Sequence, residues 1–127
     1  MAGSNPSHTP MEPRLKLSKV SSSLPVDATE YRGIVGCLRY LVHKWPDISY
    51  AVGYDSRFME SLTAEHLAAV NRILCYIAGT IDYGCHYKKI GAEVKLLGYS
   101  DSDMASDVDT RMSTTAVLFF YGSSLMA

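Results

Sequence analysis

An acidic segment between residues 99 and 109 carries the clearest chemical signal in this sequence of 127 residues. Four of its positions are aspartates, namely Asp101, Asp103, Asp107 and Asp109. Carboxylate oxygens are the hard ligands that Mg²⁺ and Ca²⁺ prefer. An EF-hand calcium loop fits poorly, because Ala105 and Ser106 stand where a polar ligand and a glycine are needed. Two interpretations therefore remain open: a divalent-metal site that includes Asp101, or an acidic turn exposed to water.

A second candidate site is basic and aromatic. Arg39, Lys44 and Arg72 lie in a helical part of the sequence, with Tyr40 and Tyr76 nearby. Such residues contact phosphates and stack on bases, although scattered arginines also form ordinary solvated helix faces. The twelve basic and thirteen acidic side chains give a net charge of -1. That balance argues against strong charge-driven nucleic-acid binding by the chain as a whole, but not against a local patch.

Several other classes of site lack their motifs. The sequence has no Cys-x-x-Cys pair, no glycine-rich phosphate loop and no Gly-x-Ser-x-Gly elbow. Its three cysteines favour reduced thiols over a disulfide framework. The first ten residues lack the apolar stretch of a secretory signal, and the run Ala116 to Tyr121 is far shorter than a membrane span. We therefore expect a cytoplasmic or nuclear location and no membrane contact.

The elements that must position these residues predict an α+β fold. Residues 1–26 are rich in proline and serine, which favours an extended, mildly basic lead-in exposed to solvent. Residues 27–80 predict three helices, which begin near Asp27, Pro46 and Thr63, and the third ends at Gly79. His66, in the first turn of that third helix, is predicted to be a surface residue. Two glycines of the first helix, at 33 and 36, are tolerable if another helix packs closely there.

Residues 81–127 predict about three antiparallel strands. Tyr83–Lys88 and Val94–Tyr99 flank Gly91, which is typical of a hairpin turn. Thr114–Tyr121 is rich in β-branched and aromatic residues and predicts a third strand. The whole sequence thus predicts a three-helix bundle followed by a small antiparallel sheet.

Several spaced motifs together resemble the Pol polyproteins of copia-type retrotransposons. The helical part, with YRGIVGCLRYL at 31–41, WPDI at 45–48 and RILCYIAGT at 72–80, resembles the thumb or connection region that follows the polymerase palm. The later motifs, GYSDSD at 98–103 and RMSTT at 111–115, resemble the opening strands of that family's ribonuclease H domain. The resemblance covers nearly the whole chain, and it implies that the sheet is the truncated start of a ribonuclease H-like fold.

The resemblance implies little catalysis by this chain. Asp101 matches the first aspartate of a ribonuclease H site that holds two Mg²⁺ ions in the parent family, and the matches to its other acidic residues lie beyond the sequence given. The Tyr-x-Asp-Asp motif of the polymerase palm is absent. We therefore expect no enzymatic activity and no cofactor. Met104 and Ser106 depart from the family's tryptophan and glycine, and a turn that needs positive φ at 106 would be strained.

Two functions remain open on this basis. The chain is either a catalytically incomplete fragment of a retrotransposon reverse transcriptase and ribonuclease H polyprotein, or a binding module repurposed from one. The module would bind nucleic acid, such as an RNA–DNA hybrid, or a protein, as an effector-like host-interaction protein does. The strand 116–121 is expected to present an unpaired apolar edge, which favours self-association.

Overall fold

The computed structural model describes residues 5–19, 26–87, 89 and 95–126. The chain divides into two compact units, Met1–Asp82 and Tyr83–Ala127. We call them the helical unit and the sheet unit, and describe each by itself. This order of helices followed by an antiparallel sheet confirms the predicted α+β class.

Local signals place the first two helices. Helix α1 spans Ala28–Leu41, and the Asp27 carboxylate caps it by accepting the Thr29 backbone N–H at 2.8 Å. This hydrogen bond lowers the pKa of Asp27. Pro46–Ile48 forms a 3-10 turn that leads directly into α2, Ser49–Asp55, as expected for a proline at a helix start. A second 3-10 turn, Ser56–Phe58, then carries Phe58 into the core.

Helix α3 spans Ala64–Gly79, as its periodicity and its terminal residues predict. The prediction that His66 lies on the surface is wrong, because the side chain is fully buried. Its Nδ1 accepts the Thr63 backbone N–H at 3.1 Å, and its ring packs on Phe58 with centroids 4.5 Å apart. The imidazole thus takes the part that glutamate or glutamine plays in a capping box.

The core of the helical unit combines all three helices. Val35 of α1, Ile48 before α2 and Val70 of α3 are completely buried. A Cβ atom on Gly33 or Gly36 would meet nothing within 4 Å. The close packing of another helix that would make these glycines tolerable is therefore not found in the described part of the chain.

The described part of the lead-in, residues 5–19, packs on the helices, so its interpretation as a solvated linker is wrong. Leu17 is 4% exposed and belongs to the core. Its backbone N–H donates to the Tyr54 hydroxyl at 3.0 Å. Arg72 of α3 donates to the Thr9 carbonyl at 3.2 Å and to Glu12 at 2.9 Å. One buried leucine and a few hydrogen bonds thus hold an irregular segment that has no secondary structure of its own.

The sheet unit contains three antiparallel strands in the order β1-β2-β3. They span Leu96–Ser102, Thr115–Tyr121 and Ser124–Leu125. β1 and β2 pair along their full length, from Leu96 opposite Tyr121 to Ser102 opposite Thr115. The predicted strand at Tyr83–Lys88 is wrong for residues 83–87, which form no strand, while Lys88 and Gly91 lie outside the described residues.

The prediction of an unpaired edge at 116–121 is wrong at Phe120 and Tyr121, the two residues of β2 that pair with β3. β2 is the central strand, paired with β1 on one side and with β3 at Phe120 and Tyr121 on the other. Apolar side chains nevertheless remain exposed on both faces of the sheet. On one face Tyr99 meets Phe120 edge to face at 6.0 Å, and on the other the Phe119 ring lies across Gly98.

Candidate functional site

Asp101 lies near the end of β1, opposite Ala116 of β2. It is exposed, and its Oδ1 accepts the backbone N–H of Ser102 at 2.9 Å. Asp103 follows two residues further on, just after Ser102, where the strand ends. Both carboxylates therefore lie at the same corner of the sheet, where β1 enters the loop to β2.

Asp103 braces the loop that joins β1 to β2. Its Oδ1 accepts the Thr114 backbone N–H at 2.8 Å, and its Oδ2 accepts a hydrogen bond from the Ser106 hydroxyl. These hydrogen bonds, chiefly the one from Ser106, lower the pKa of Asp103. In addition, the Ala105 backbone N–H donates to the Ser113 hydroxyl at 3.0 Å. The carboxylate is thus a structural acceptor that ties together the two ends of the loop.

Asp107 shapes the tip of the same loop. Its Oδ1 accepts the backbone N–H groups of Asp109 at 2.9 Å and of Thr110 at 2.7 Å. The carbonyl of Asp107 accepts the Arg111 N–H at 3.1 Å. An aspartate side chain that bonds to the backbone two and three residues later is typical of a turn. The acidic composition of this loop therefore reflects turn chemistry at Asp103 and Asp107, two of its three aspartates.

A two-metal site does not fit this donor set. Within the described residues, no group of three or more His, Cys, Asp or Glu side chains is positioned to hold a metal ion. Asp103 and Asp107 already accept hydrogen bonds within the loop, so a cation would have to displace them. Asp101 is the exposed carboxylate at this corner, and one carboxylate gives Mg²⁺ too few ligands for a stable site.

Backbone strain in the loop falls at a different residue from the one that the sequence suggested. Ala105 has a φ of 51° and Arg111 a φ of 59°, in the left-handed region that favours glycine. Ser106 is not among the residues with positive φ, and its hydroxyl instead serves Asp103. Serine in place of glycine at 106 therefore adds a hydrogen bond. The cost of a left-handed backbone falls instead on the preceding residue, Ala105.

The three basic residues of the second candidate site have different surroundings. Arg39 is exposed in the last turn of α1, and Lys44 is exposed just after it. Between them Tyr40, 75% exposed, meets His43 edge to face at 6.5 Å. Arg72 instead holds the lead-in through Thr9 and Glu12, so a phosphate would compete there with a carboxylate.

One titratable group escaped the sequence analysis because its burial depends on the tertiary fold. Asp55, at the end of α2, is 3% exposed, and this burial raises the pKa of its carboxyl to about 7. Tyr31 donates its hydroxyl to the Asp55 carbonyl at 2.8 Å. Burial, followed by the charge of Asp55, raises the pKa of Tyr31. Because both residues are buried, we interpret the pair as a structural feature of the core.

Comparison with curated proteins adds the decisive observation. The chain is 48% identical over 122 residues, 96% of its length, to the retrovirus-related Pol polyprotein from transposon RE1 of Arabidopsis thaliana. It is 38% identical over its full length to the Pol polyprotein from transposon TNT 1-94 of Nicotiana tabacum. Nearly the whole chain is thus similar to a segment of the Pol polyproteins of copia-type retrotransposons.

The chain spans only 8% of the RE1 Pol polyprotein and 10% of the TNT 1-94 Pol polyprotein. It is also 41% identical over 70% of its length to the secreted RxLR effector protein 161 of Plasmopara viticola, of which it covers 63%. No family model and no solved structure matches this chain. In the described part of the chain, no helix is both long and apolar enough to cross a membrane.

Proposed function

We propose that this chain is a non-catalytic segment of a retrotransposon reverse transcriptase and ribonuclease H polyprotein. Its helical unit would correspond to the thumb or connection region, and its sheet unit to the first strands of the ribonuclease H domain. The observation that carries this proposal is the alignment of nearly the whole chain with Pol polyproteins. The order of a helical unit followed by an antiparallel hairpin with Asp101 on its first strand is consistent with it.

The state of the carboxylates supports the absence of catalysis. In-line hydrolysis of a phosphodiester by two metal ions needs several carboxylates that converge on the ions. Here Asp103 and Asp107 hold the β1–β2 loop together, and within the described residues no group of three or more His, Cys, Asp or Glu side chains converges on a metal position. We therefore propose that this chain needs no cofactor of its own.

Hydrolysis of a labelled RNA–DNA hybrid in the presence of Mg²⁺ tests this proposal. We expect the chain and its Asp101→Asn variant to give the same background rate, because neither holds a metal pair. A rate well above background that Asp101→Asn abolishes would contradict the proposal. A rate that Asp101→Asn leaves unchanged would be assigned to a contaminating nuclease.

A second candidate function is nucleic-acid binding by the end of α1. Arg39 and Lys44 are exposed, and the edge-to-face pair of Tyr40 and His43 lies between them. Cations that contact phosphates next to exposed aromatic rings are typical of surfaces that bind single strands or hybrids. In this interpretation the segment contacts the template–primer without acting on it, or has been retained as a binding module.

Fluorescence anisotropy with an RNA–DNA hybrid at several salt concentrations tests this second function. The double variant Arg39→Ala/Lys44→Ala should bind the hybrid several-fold more weakly. The slope of the logarithm of affinity against the logarithm of salt concentration should fall by about two, because two phosphate contacts are lost. A double variant of two exposed lead-in residues, Arg14→Ala/Lys16→Ala, removes the same charge elsewhere and is the matched control. Equal losses in both double variants would argue for non-specific attraction only.

A host-interaction role is the remaining alternative, and the similarity to the RxLR effector protein favours it. That protein is described as secreted, whereas for this chain we propose a cytoplasmic or nuclear location. The exposed Cys37 and Cys85 support a reducing compartment, because exposed free thiols oxidise readily elsewhere. Fractionation of cells that express the tagged chain would separate the two locations, and recovery from the medium would favour the effector-like alternative.

A further inference from the structure

An apolar groove runs between α1 and α3 in the helical unit. Its walls include Gly33, Ile34, Cys37 and Leu41 from α1, and Leu74 and Ile77 from α3. The cavity volume is about 660 Å³, within the range of about 300–1,000 Å³ typical of binding sites. We call this surface the α1/α3 groove. It is distinct from both the acidic loop of the sheet unit and the basic end of α1.

Small residues leave the α1 wall open to a close approach. A Cβ atom on Gly33 would meet nothing within 4 Å, and Cys37, one turn later, is exposed. A glycine in the middle of a helix costs about 1 kcal/mol relative to alanine. Within the described residues no neighbouring helix uses the space that Gly33 provides. The glycine therefore leaves room for an occupant that comes from elsewhere.

Two carboxylates give one end of the groove a negative charge. Asp27 and Glu30, at the start of α1, line this end, and the hydrogen bond from Thr29 lowers the pKa of Asp27 and so keeps it ionised. None of the described residues that line the groove is a lysine, arginine or histidine. An occupant with positive charge at one end would therefore meet complementary charge there, and an acidic one would be repelled.

We propose that the α1/α3 groove binds an amphipathic helix of a partner protein, with the helix's basic end against Asp27 and Glu30. A helix supplies the apolar stripe that such a groove accepts, with anchors three and four residues apart. Helix α1 is 14 residues long, so a partner helix of similar length, about 20 Å, would cover the groove. A second copy of this chain is a poorer occupant. Its α1 and α3 already bury their apolar residues Val35, Val70 and Ile73 in its own core, so these faces are not available to enter the groove.

Two synthetic helical peptides of 14 residues would probe the groove by fluorescence anisotropy. Both carry leucine at positions i, i+3, i+4 and i+7, and they differ only in three lysines or three glutamates at one end. We expect the lysine peptide to bind at least ten-fold more tightly at low salt. Glu30→Lys should abolish most of this preference, because the new positive charge cancels the negative charge of Asp27 at the groove's end. Equal affinities for the two peptides would overturn the proposal.

A pair of glycine variants localises the binding to the groove. Gly33→Leu fills the space on the α1 wall and should weaken lysine-peptide binding at least ten-fold. Gly36→Leu is the matched control, since Gly36 is equally open but does not line the groove. Both substitutions should raise the melting temperature through better helix propensity, which separates lost binding from lost folding. Equal effects of the two variants on binding would place the peptide elsewhere.

Light scattering that shows a dimer lost in Gly33→Leu alone would assign the groove to a second copy and overturn the proposal.

Discussion

Single residues with unusual surroundings give the most direct predictions. Asp55 is an acid with a raised pKa of about 7 in the folded chain, against an ordinary value of 3.8. As pH rises from about 4 to about 7, the unfolded chain releases this proton while the folded chain retains it. Stability should therefore fall across this window by about 1.4 kcal/mol per pKa unit, and above pH 7 the penalty should stay constant.

Asp55→Asn should abolish most of this pH dependence, because an amide does not titrate. The variant should be more stable than the parent at pH 8 and closer to it at pH 4. Urea unfolding followed by the fluorescence of Trp45, the single tryptophan, measures both. Asp82→Asn removes an exposed carboxylate and is the control. If Asp82→Asn removed the pH dependence of stability and Asp55→Asn did not, our assignment would be contradicted.

The left-handed conformation of Ala105 leads to a second prediction at this scale. Ala105→Gly should stabilise the β1–β2 loop by about 0.5–1 kcal/mol, because a left-handed backbone costs an alanine more than it costs a glycine. Slower hydrogen exchange of the Thr114 amide, which bonds to Asp103, would report the gain. Ser106→Gly should have the opposite effect, since it removes the hydroxyl that bonds to Asp103.

At the scale of elements, the lead-in is held by one buried side chain more than by its ion pair. Leu17→Ala should lower the free energy of unfolding by about 2–5 kcal/mol, as is typical for a leucine truncated in a core. Arg72→Ala should cost under about 1 kcal/mol, because the pair with Glu12 is partly exposed to solvent. Urea midpoints compare the two variants, and a larger loss for Arg72→Ala would reverse this ranking.

The helices could be predicted from the sequence because their signals are local. Asp27, Pro46 and Thr63 mark helix starts by their own chemistry, and the apolar period is visible within each segment. The strands were less predictable, because pairing depends on distant partners. Strand β1 pairs with β2 across the acidic loop, where the sequence had suggested a hairpin at Gly91.

Burial escaped prediction for a related reason. His66 and Leu17 have no local pattern that distinguishes them from surface residues. Phe58 and Tyr54, which they meet, are eight and 37 residues away in sequence. For the candidate site, the sequence identified Asp101 and the acidic loop. It did not indicate that Oδ1 of Asp103 and Oδ1 of Asp107 accept backbone amides of the loop, because turn hydrogen bonds depend on φ and ψ angles.

At the scale of the whole molecule, the two units differ in how much apolar surface they bury. The helical unit has a core of fully buried residues, whereas both faces of the sheet unit expose aromatic and aliphatic side chains. Unfolding should therefore occur in two steps, with the sheet unit first. Trp45 fluorescence follows the helical unit, and hydrogen exchange of β1 and β2 amides follows the sheet. Coincident transitions would indicate one cooperative structure.

The same exposed surface predicts self-association of the isolated chain. Val117, half exposed in the central strand, is a suitable probe. Val117→Lys should reduce the mass seen by light scattering at high concentration, because a charge opposes contact between apolar sheet faces. Thr115→Lys, on the same face of the strand but at its end, should have a smaller effect. A parent chain that stays monomeric at high concentration would contradict this prediction.

The long-range bonds of the lead-in also constrain when the helical unit can mature on the ribosome. Leu17 cannot bond to Tyr54 until 37 more residues have been synthesised, and Thr9 cannot bond to Arg72 until 63 more have been. During synthesis the lead-in therefore emerges first and docks last, after α3 has left the exit tunnel. Until α3 has been synthesised, residues 5–19 are a free segment with an uncovered leucine, available to chaperones or proteases that the folded helical unit would exclude.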